Sequence, residues 1–79
     1  VKVDVKSGFG RVIKQLRLNA GLSQQELADY ADIDRTYISD LERGLYYPSL
    51  EVIYKMCDVL NIKPFEVLEM VDKLLSKKG

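Results

Sequence analysis

A chain of 79 residues with 47% hydrophobic side chains has room for one small core. Domains of this size bury only about 60% of the surface their unfolded chains expose, so pairing with a second copy is an expected supplement to a marginal monomer. Twelve basic and twelve acidic residues cancel, which excludes a global basic footprint for nucleic acid but not a local one. Phosphate affinity follows the charges that face the duplex rather than their sum. The single cysteine, Cys57, excludes an internal disulfide and offers zinc no partner spacing, and the absence of histidine removes the commonest general base and metal ligand. No leader-like segment or membrane-length apolar run is read, so the chain is expected to be cytoplasmic, with no membrane contact. Its start without Met reads as a trimmed or processed terminus.

Val1 to Lys6 alternates apolar and charged side chains, a strand-like pattern too short to stand alone, and residues 1–6 are expected to be an N-terminal arm. From about Ser7 to Ala20, the residues Phe9, Val12, Ile13 and Leu16 fall at i, i+3, i+4 and i+7, one stripe of an amphipathic helix that Gly21 closes. Leu22-Ser-Gln-Gln-Glu-Leu-Ala28 then opens a second helix, about Gln24 to Ala31. Ser23 and Glu26 form a capping box, and Leu22 and Leu27 a hydrophobic staple that fixes the entry angle. Asp34-Arg-Thr-Tyr-Ile-Ser-Asp-Leu-Glu-Arg-Gly44 writes a third helix, about Arg35 to Arg43, capped by Asp34, stapled by Ile33 and Ile38 and ended by Gly44. Leu45 to Pro48 is a loop. Ser49 caps a fourth helix with Leu50, Ile53, Cys57 and Leu60 on one side and Asn61 as a left-handed C-terminal residue. Pro64 fits the first turn of a fifth helix that runs to about Ser76. The expected fold is all-α: a compact five-helix domain over residues 7–79.

Two capped helices joined by so tight a turn must cross steeply, which is the helix-turn-helix geometry that offers its second helix to the DNA major groove. On that helix Ile38 and Leu41 face inward, leaving Arg35, Thr36, Ser39, Asp40 and Arg43 outward. A guanidinium fork at Arg35 matches the O6 and N7 acceptors of guanine, and Thr36 suits a thymine methyl or a hydrogen bond. Ser39 suits a base or a phosphate. Gln24, first in the second helix, lies where an amide and a helix N-terminus cooperate on phosphate. Tyr37 is open to two readings, half-packed ring or phosphate contact. Tyr46 and Tyr47 either donate to phosphate or cover the core edge. Catalysis has no support, because no nucleophile stands beside an activating base and no glycine-rich phosphate loop occurs. The chain reads as a non-enzyme without cofactor or metal.

The pattern Leu22-Ser-Gln-Gln-Glu-Leu-Ala-x8-Tyr-Ile-Ser-x-Leu-Glu-Arg-Gly44, followed by Pro48-Ser-Leu, resembles the Cro/CI-type (XRE-like) helix-turn-helix regulators, whose DNA-binding domain is lambda-repressor-like. The likeness runs from about residue 9 to 68. Within that group, Asp34-Arg-Thr-Tyr-Ile-Ser39 and the small size are similar to the controller proteins of restriction-modification systems. The resemblance implies base readout by Arg35 and Thr36, with Ser39 and Asp40 at further groove-facing positions, and phosphate contacts at Gln24 and Arg43. It also implies a partly buried ion pair between Arg17 and Glu42. Two residues depart from the pattern. Asp32 stands where the turn often carries Gly, and Asp tolerates the left-handed region better than most. Asp40, in an acidic set with Asp29, Asp32 and Asp34, would repel phosphate in the groove and accept only from a cytosine amino group.

These features imply a sequence-specific transcriptional regulator that acts as a homodimer on a palindromic operator. The alternative is a protein-interaction module, antitoxin-like or a repressor partner, that uses the same fold with weak DNA binding. The partners implied are double-stranded DNA, a second copy and, where activation is concerned, RNA polymerase. On the fifth helix Phe65, Val67, Leu68, Met70, Val71, Leu74 and Leu75 span roughly 220°, wider than one core-facing stripe needs. The surplus points to a dimer interface at Phe65, Leu68, Val71 and Leu75. Spacing leaves open which flank faces the core, Val67/Met70/Leu74 or Phe65/Leu68/Leu75. Cys57 is expected to be buried packing.

Overall fold

Residues 4–76 are described by a computed structural model, in which five helices follow one another: α1 (Val5–Asn19), α2 (Gln24–Ala31), α3 (Arg35–Glu42), α4 (Leu50–Leu60) and α5 (Pro64–Ser76). No strand occurs among the described residues. The all-α, five-helix expectation is borne out. One boundary needs correction. α1 begins at Val5 rather than Ser7, because the Asp4 carboxylate accepts the Ser7 N–H at 3.1 Å and caps the first turn. Val5 and Lys6 are therefore helical and not part of an arm. Residues 1–3 of the expected arm lie outside the described residues.

Each later boundary is written by a side chain close by. The Ser23 hydroxyl accepts from the Glu26 N–H at 3.0 Å while the Glu26 carboxylate accepts from the Ser23 N–H at 2.8 Å, closing the capping box. α2 ends on Asp32 in the left-handed region (φ 57°, ψ 51°), and the Ile33 N–H turns back to the Ala28 carbonyl at 2.9 Å. Asp34 accepts from the Thr36 N–H at 2.8 Å, so α3 starts three residues after α2's cap. Ser49 caps α4 through the Val52 N–H at 3.2 Å, and Asn61 closes it at φ 55°.

α1 is the central post, packed on α3 and α5, while α2 packs on α3 and α4. Ile13, Leu27, Ile38, Leu41, Met56 and Val67 are fully enclosed between them. Two glycines let α1 come close to α3. A Cβ on Gly10 would collide with the Leu41 carbonyl oxygen and lie 2.8 Å from that of Glu42, so only hydrogen fits there. Gly44 ends α3 at φ +74°, and its backbone rests on the Cα of Ser7, 3.0 Å from where a Cβ would stand.

α4 and α5 revise the expected stripes. The buried residues of α4, Met56 and Cys57, lie in its middle turns, and Leu50 in the first turn is 74% exposed instead of sharing the inward side. On α5, Val67 and Val71 are buried, with Met70, Leu74 and Leu75 packed at the core's edge. Val71 thus leaves the expected dimer surface for the core, and Leu75 is half-covered. Both seat on Gly8 of α1, whose missing side chain opens that side to them. Phe65 and Leu68 point outward, 65% and 56% exposed. No helix among the described residues is long and apolar enough to cross a membrane.

Candidate nucleic-acid interface

The crossing of α2 and α3 is held from below by a buried charge cluster. Arg17 donates through Nε to Glu42 Oε2 at 2.7 Å and through Nη2 to Oε1 at 3.0 Å, a bidentate pair with both residues buried. Its third donor, Nη1, reaches the Leu22 carbonyl at 2.8 Å just before α2 begins. Gln24 Nε2 adds a bond to Glu42 Oε1 at 3.0 Å. One carboxylate therefore ties the end of α3 to α1 and to the start of α2. Such a pair fixes orientation more than it adds stability, and removing one partner leaves an uncompensated buried charge at a cost of about 3–5 kcal/mol. Every buried side-chain N or O among the described residues has a partner.

The expected Arg17–Glu42 pair is present, and Gln24 turns out to belong to it. Its amide nitrogen is engaged with Glu42, leaving one N–H and the carbonyl oxygen for anything outside. Nothing in the local spacing announced this bond, since the two residues are 18 positions apart.

On the outer side of α3, Arg35 and Thr36 in the first turn are exposed, and Ser39 and Asp40 one turn on are half-buried. Arg35 has no ion-pair partner among the described residues. Asp40 faces Arg43 at 3.4 Å, so the carboxylate expected at a groove-facing position is partly answered by the cation that caps its own helix. Arg43 itself is exposed beside the loop that follows.

That loop is organised by tyrosines. The Tyr37 hydroxyl accepts from the Ser49 N–H at 3.4 Å, and its ring lies 5.1 Å from that of Tyr46, tilted by 37°. Tyr37 therefore latches α3 to the cap of α4, the half-packed reading, with its phenolic proton still available. Burial above all, then the negative charge of Asp40 and the neighbours Tyr37 and Asp34, push the Tyr46 hydroxyl above its ordinary pKa. It stays protonated and keeps its donor. Tyr47 is exposed, and its ring carries the Lys6 ammonium 5.4 Å from its centroid. The contact is not legible in the sequence, where Lys6 falls in the alternating stretch expected to be an arm. No cluster of His, Cys, Asp or Glu among the described residues could hold a metal ion.

The chain matches the helix-turn-helix family over residues 13–67. It belongs to that family. It is 42% identical over 62 residues to the control protein C.BamHI of Bacillus amyloliquefaciens, covering 77% of this chain and 76% of that one. The restriction-modification controller protein C.AhdI from Aeromonas hydrophila superposes with a TM-score of 0.77 at 38% identity, over 84% of this chain and 98% of that one. A third likeness is to the controller protein C.Esp1396I, solved as a tetramer in complex with its natural 35 base-pair operator, with a TM-score of 0.78, 32% identity, and 87% and 91% of the two chains covered. The expected likeness to controller proteins is borne out. In this helix-turn-helix protein the matched span takes in α2, α3, α4 and the Arg17–Glu42 pair, but leaves outside it Lys6 and most of α5.

Proposed function

We propose that this protein is a sequence-specific transcriptional regulator that binds duplex DNA as a homodimer on a two-fold-symmetric operator, in the manner of a controller protein. The observation that carries this reading is an exposed Arg35 and Thr36 at the start of a helix whose orientation is locked by the buried Arg17–Glu42–Gln24 cluster. A reading helix must hold its side chains at fixed angles to the base edges, and a rigid α2–α3 unit supplies that. Arg35 reads guanine through its fork, with Thr36 and Ser39 beside it and Asp40 toward a cytosine amino group. Phosphate contacts come from the remaining Gln24 N–H, the hydroxyls of Tyr37, Tyr46 and Tyr47, and Arg43. The operator-bound state of C.Esp1396I supports the DNA assignment by likeness.

The second copy docks through Phe65 and Leu68 on α5, the apolar side chains of that helix that its own core leaves in the open. Where the operator lies beside a promoter, the bound dimer meets RNA polymerase, and transcription from a template carrying that operator gives the direction of control. DNA binding is tested by affinity for a selected operator across a salt series. Steep weakening with salt is expected, because each neutralised phosphate contributes about 0.9 to the log–log slope. Arg35→Ala should cost roughly 1–3 kcal/mol and relax preference at one position in each half-site. A chain with little DNA affinity even at low salt would overturn the reading in favour of a protein-binding module.

A further inference from the structure

We propose that Lys6 carries the DNA-contacting surface past α3 and its following loop onto the first turn of α1, where its ammonium donates to a backbone phosphate. This rests on the duplex-binding reading and adds a contact to it. The placement comes from three features of the packing. Gly10 lets α1 lie directly on the last carbonyls of α3, and Gly44 brings the end of α3 onto Ser7. Lys6 is therefore adjacent in space to the segment that starts at Arg43, the residue already assigned to phosphate. The ammonium then sits 5.4 Å from the Tyr47 ring centroid, and Tyr47 is itself exposed in that same loop.

The ring does something that a carboxylate would not. A cation over a π face is held by electrostatic attraction without being neutralised, so the ammonium keeps its full charge and the N–H groups turned away from the ring for phosphate oxygens. It also restrains a long, flexible side chain before DNA arrives, which lowers the entropy lost on ordering it in the complex. The other basic side chains nearby are compromised: Arg17 is buried on Glu42, and Arg43 shares its charge with Asp40 at 3.4 Å. In a chain with zero formal charge, a lysine with no ion-pair partner among the described residues offers a phosphate local positive charge. The competing role is internal: Lys6 near the carbonyl end of α3 would offset that helix's dipole and stabilise the fold without touching DNA.

The test measures operator affinity across a salt series for the wild type, Lys6→Ala, Lys6→Arg and Lys73→Ala, with melting temperatures for each. Lys73 lines the groove between α1 and α5 with Arg11 and Gln15, away from the loop, and serves as the charge-matched control. Expected for Lys6→Ala is a log–log slope shallower by about 0.9 per bound protomer, with base preference unaltered. Lys6→Arg should restore the wild-type slope, and Lys73→Ala should leave it in place. A Lys6→Ala slope equal to the wild type's, with or without a lower melting temperature, overturns the inference and leaves the regulator reading standing. So does a Lys6→Arg variant that behaves like Lys6→Ala, since the charge would then not be what matters. A wild type without steep salt dependence overturns the regulator reading itself.

Discussion

Cys57 lies in the core at 2% exposure, and burial pushes its thiol pKa up. The sign of the pH effect follows. A thiol that holds its proton more tightly when folded contributes stability that is fully present below the unfolded thiol pKa, about 8.5, and is lost as pH rises through the higher folded value. The melting temperature should therefore fall as pH climbs through that alkaline window, and Cys57→Ala should remove that component. A thiol reagent should react slowly with the native protein and fast after denaturation, whereas rapid native modification would contradict the burial. The position of Cys57 was legible in the sequence because it shares a helical stripe with Ile53 and Leu60. Arg17 and Glu42 were not, on spacing alone. They lie 25 positions apart and look like ordinary surface charges until α1 and α3 are packed together. Only the resemblance to known regulators paired them. Gln24 went further astray, since an amide at a helix start reads as solvent-facing and its tie to Glu42 needs the tertiary fold.

At the scale of helices, the contact that most constrains the sequence is α1 on α3. Gly10→Ala puts a methyl group against the carbonyls of Leu41 and Glu42, which belong to backbone and cannot swing away. A loss of about 1–3 kcal/mol or more is expected, and each kcal/mol lowers the melting temperature by roughly 4–8 °C in a domain of this size. Gly8→Ala meets only side-chain atoms, Leu75 at 3.2 Å and Val71 at 3.6 Å, so its melt should shift less. Equal shifts for the two would show that α1 does not ride on α3 as described. Helix boundaries were readable where a cap acts within three residues, as at Ser23, Asp34 and Ser49. Asp4 is a cap of the same kind, and it was overlooked because the alternation of Val and Lys around it has the period of a strand. The direction of α5 was not local information. Its apolar arc is wide enough for two orientations, and the choice is made by Gly8 on a distant helix that accepts Val71 and Leu75.

The whole molecule leaves Phe65 and Leu68 uncovered on α5, a small apolar surface on a chain whose size already favours association. Sedimentation at micromolar concentration should show a dimer for the wild type and a monomer for Phe65→Glu combined with Leu68→Glu. A wild type that remains monomeric would contradict the dimer itself, and a double variant that still pairs would place the two-fold axis elsewhere. In the proposed dimer two copies of the Arg35 surface would meet one duplex, and that symmetry would reappear in the DNA it prefers. Selection of duplexes from a random pool by the wild-type protein is the most direct test. Recovery of a two-fold-symmetric site whose half-site centres lie about one helical turn apart, roughly 34 Å, is expected. Recovery of no preferred sequence, or of a single asymmetric site, would contradict operator binding by a two-fold dimer.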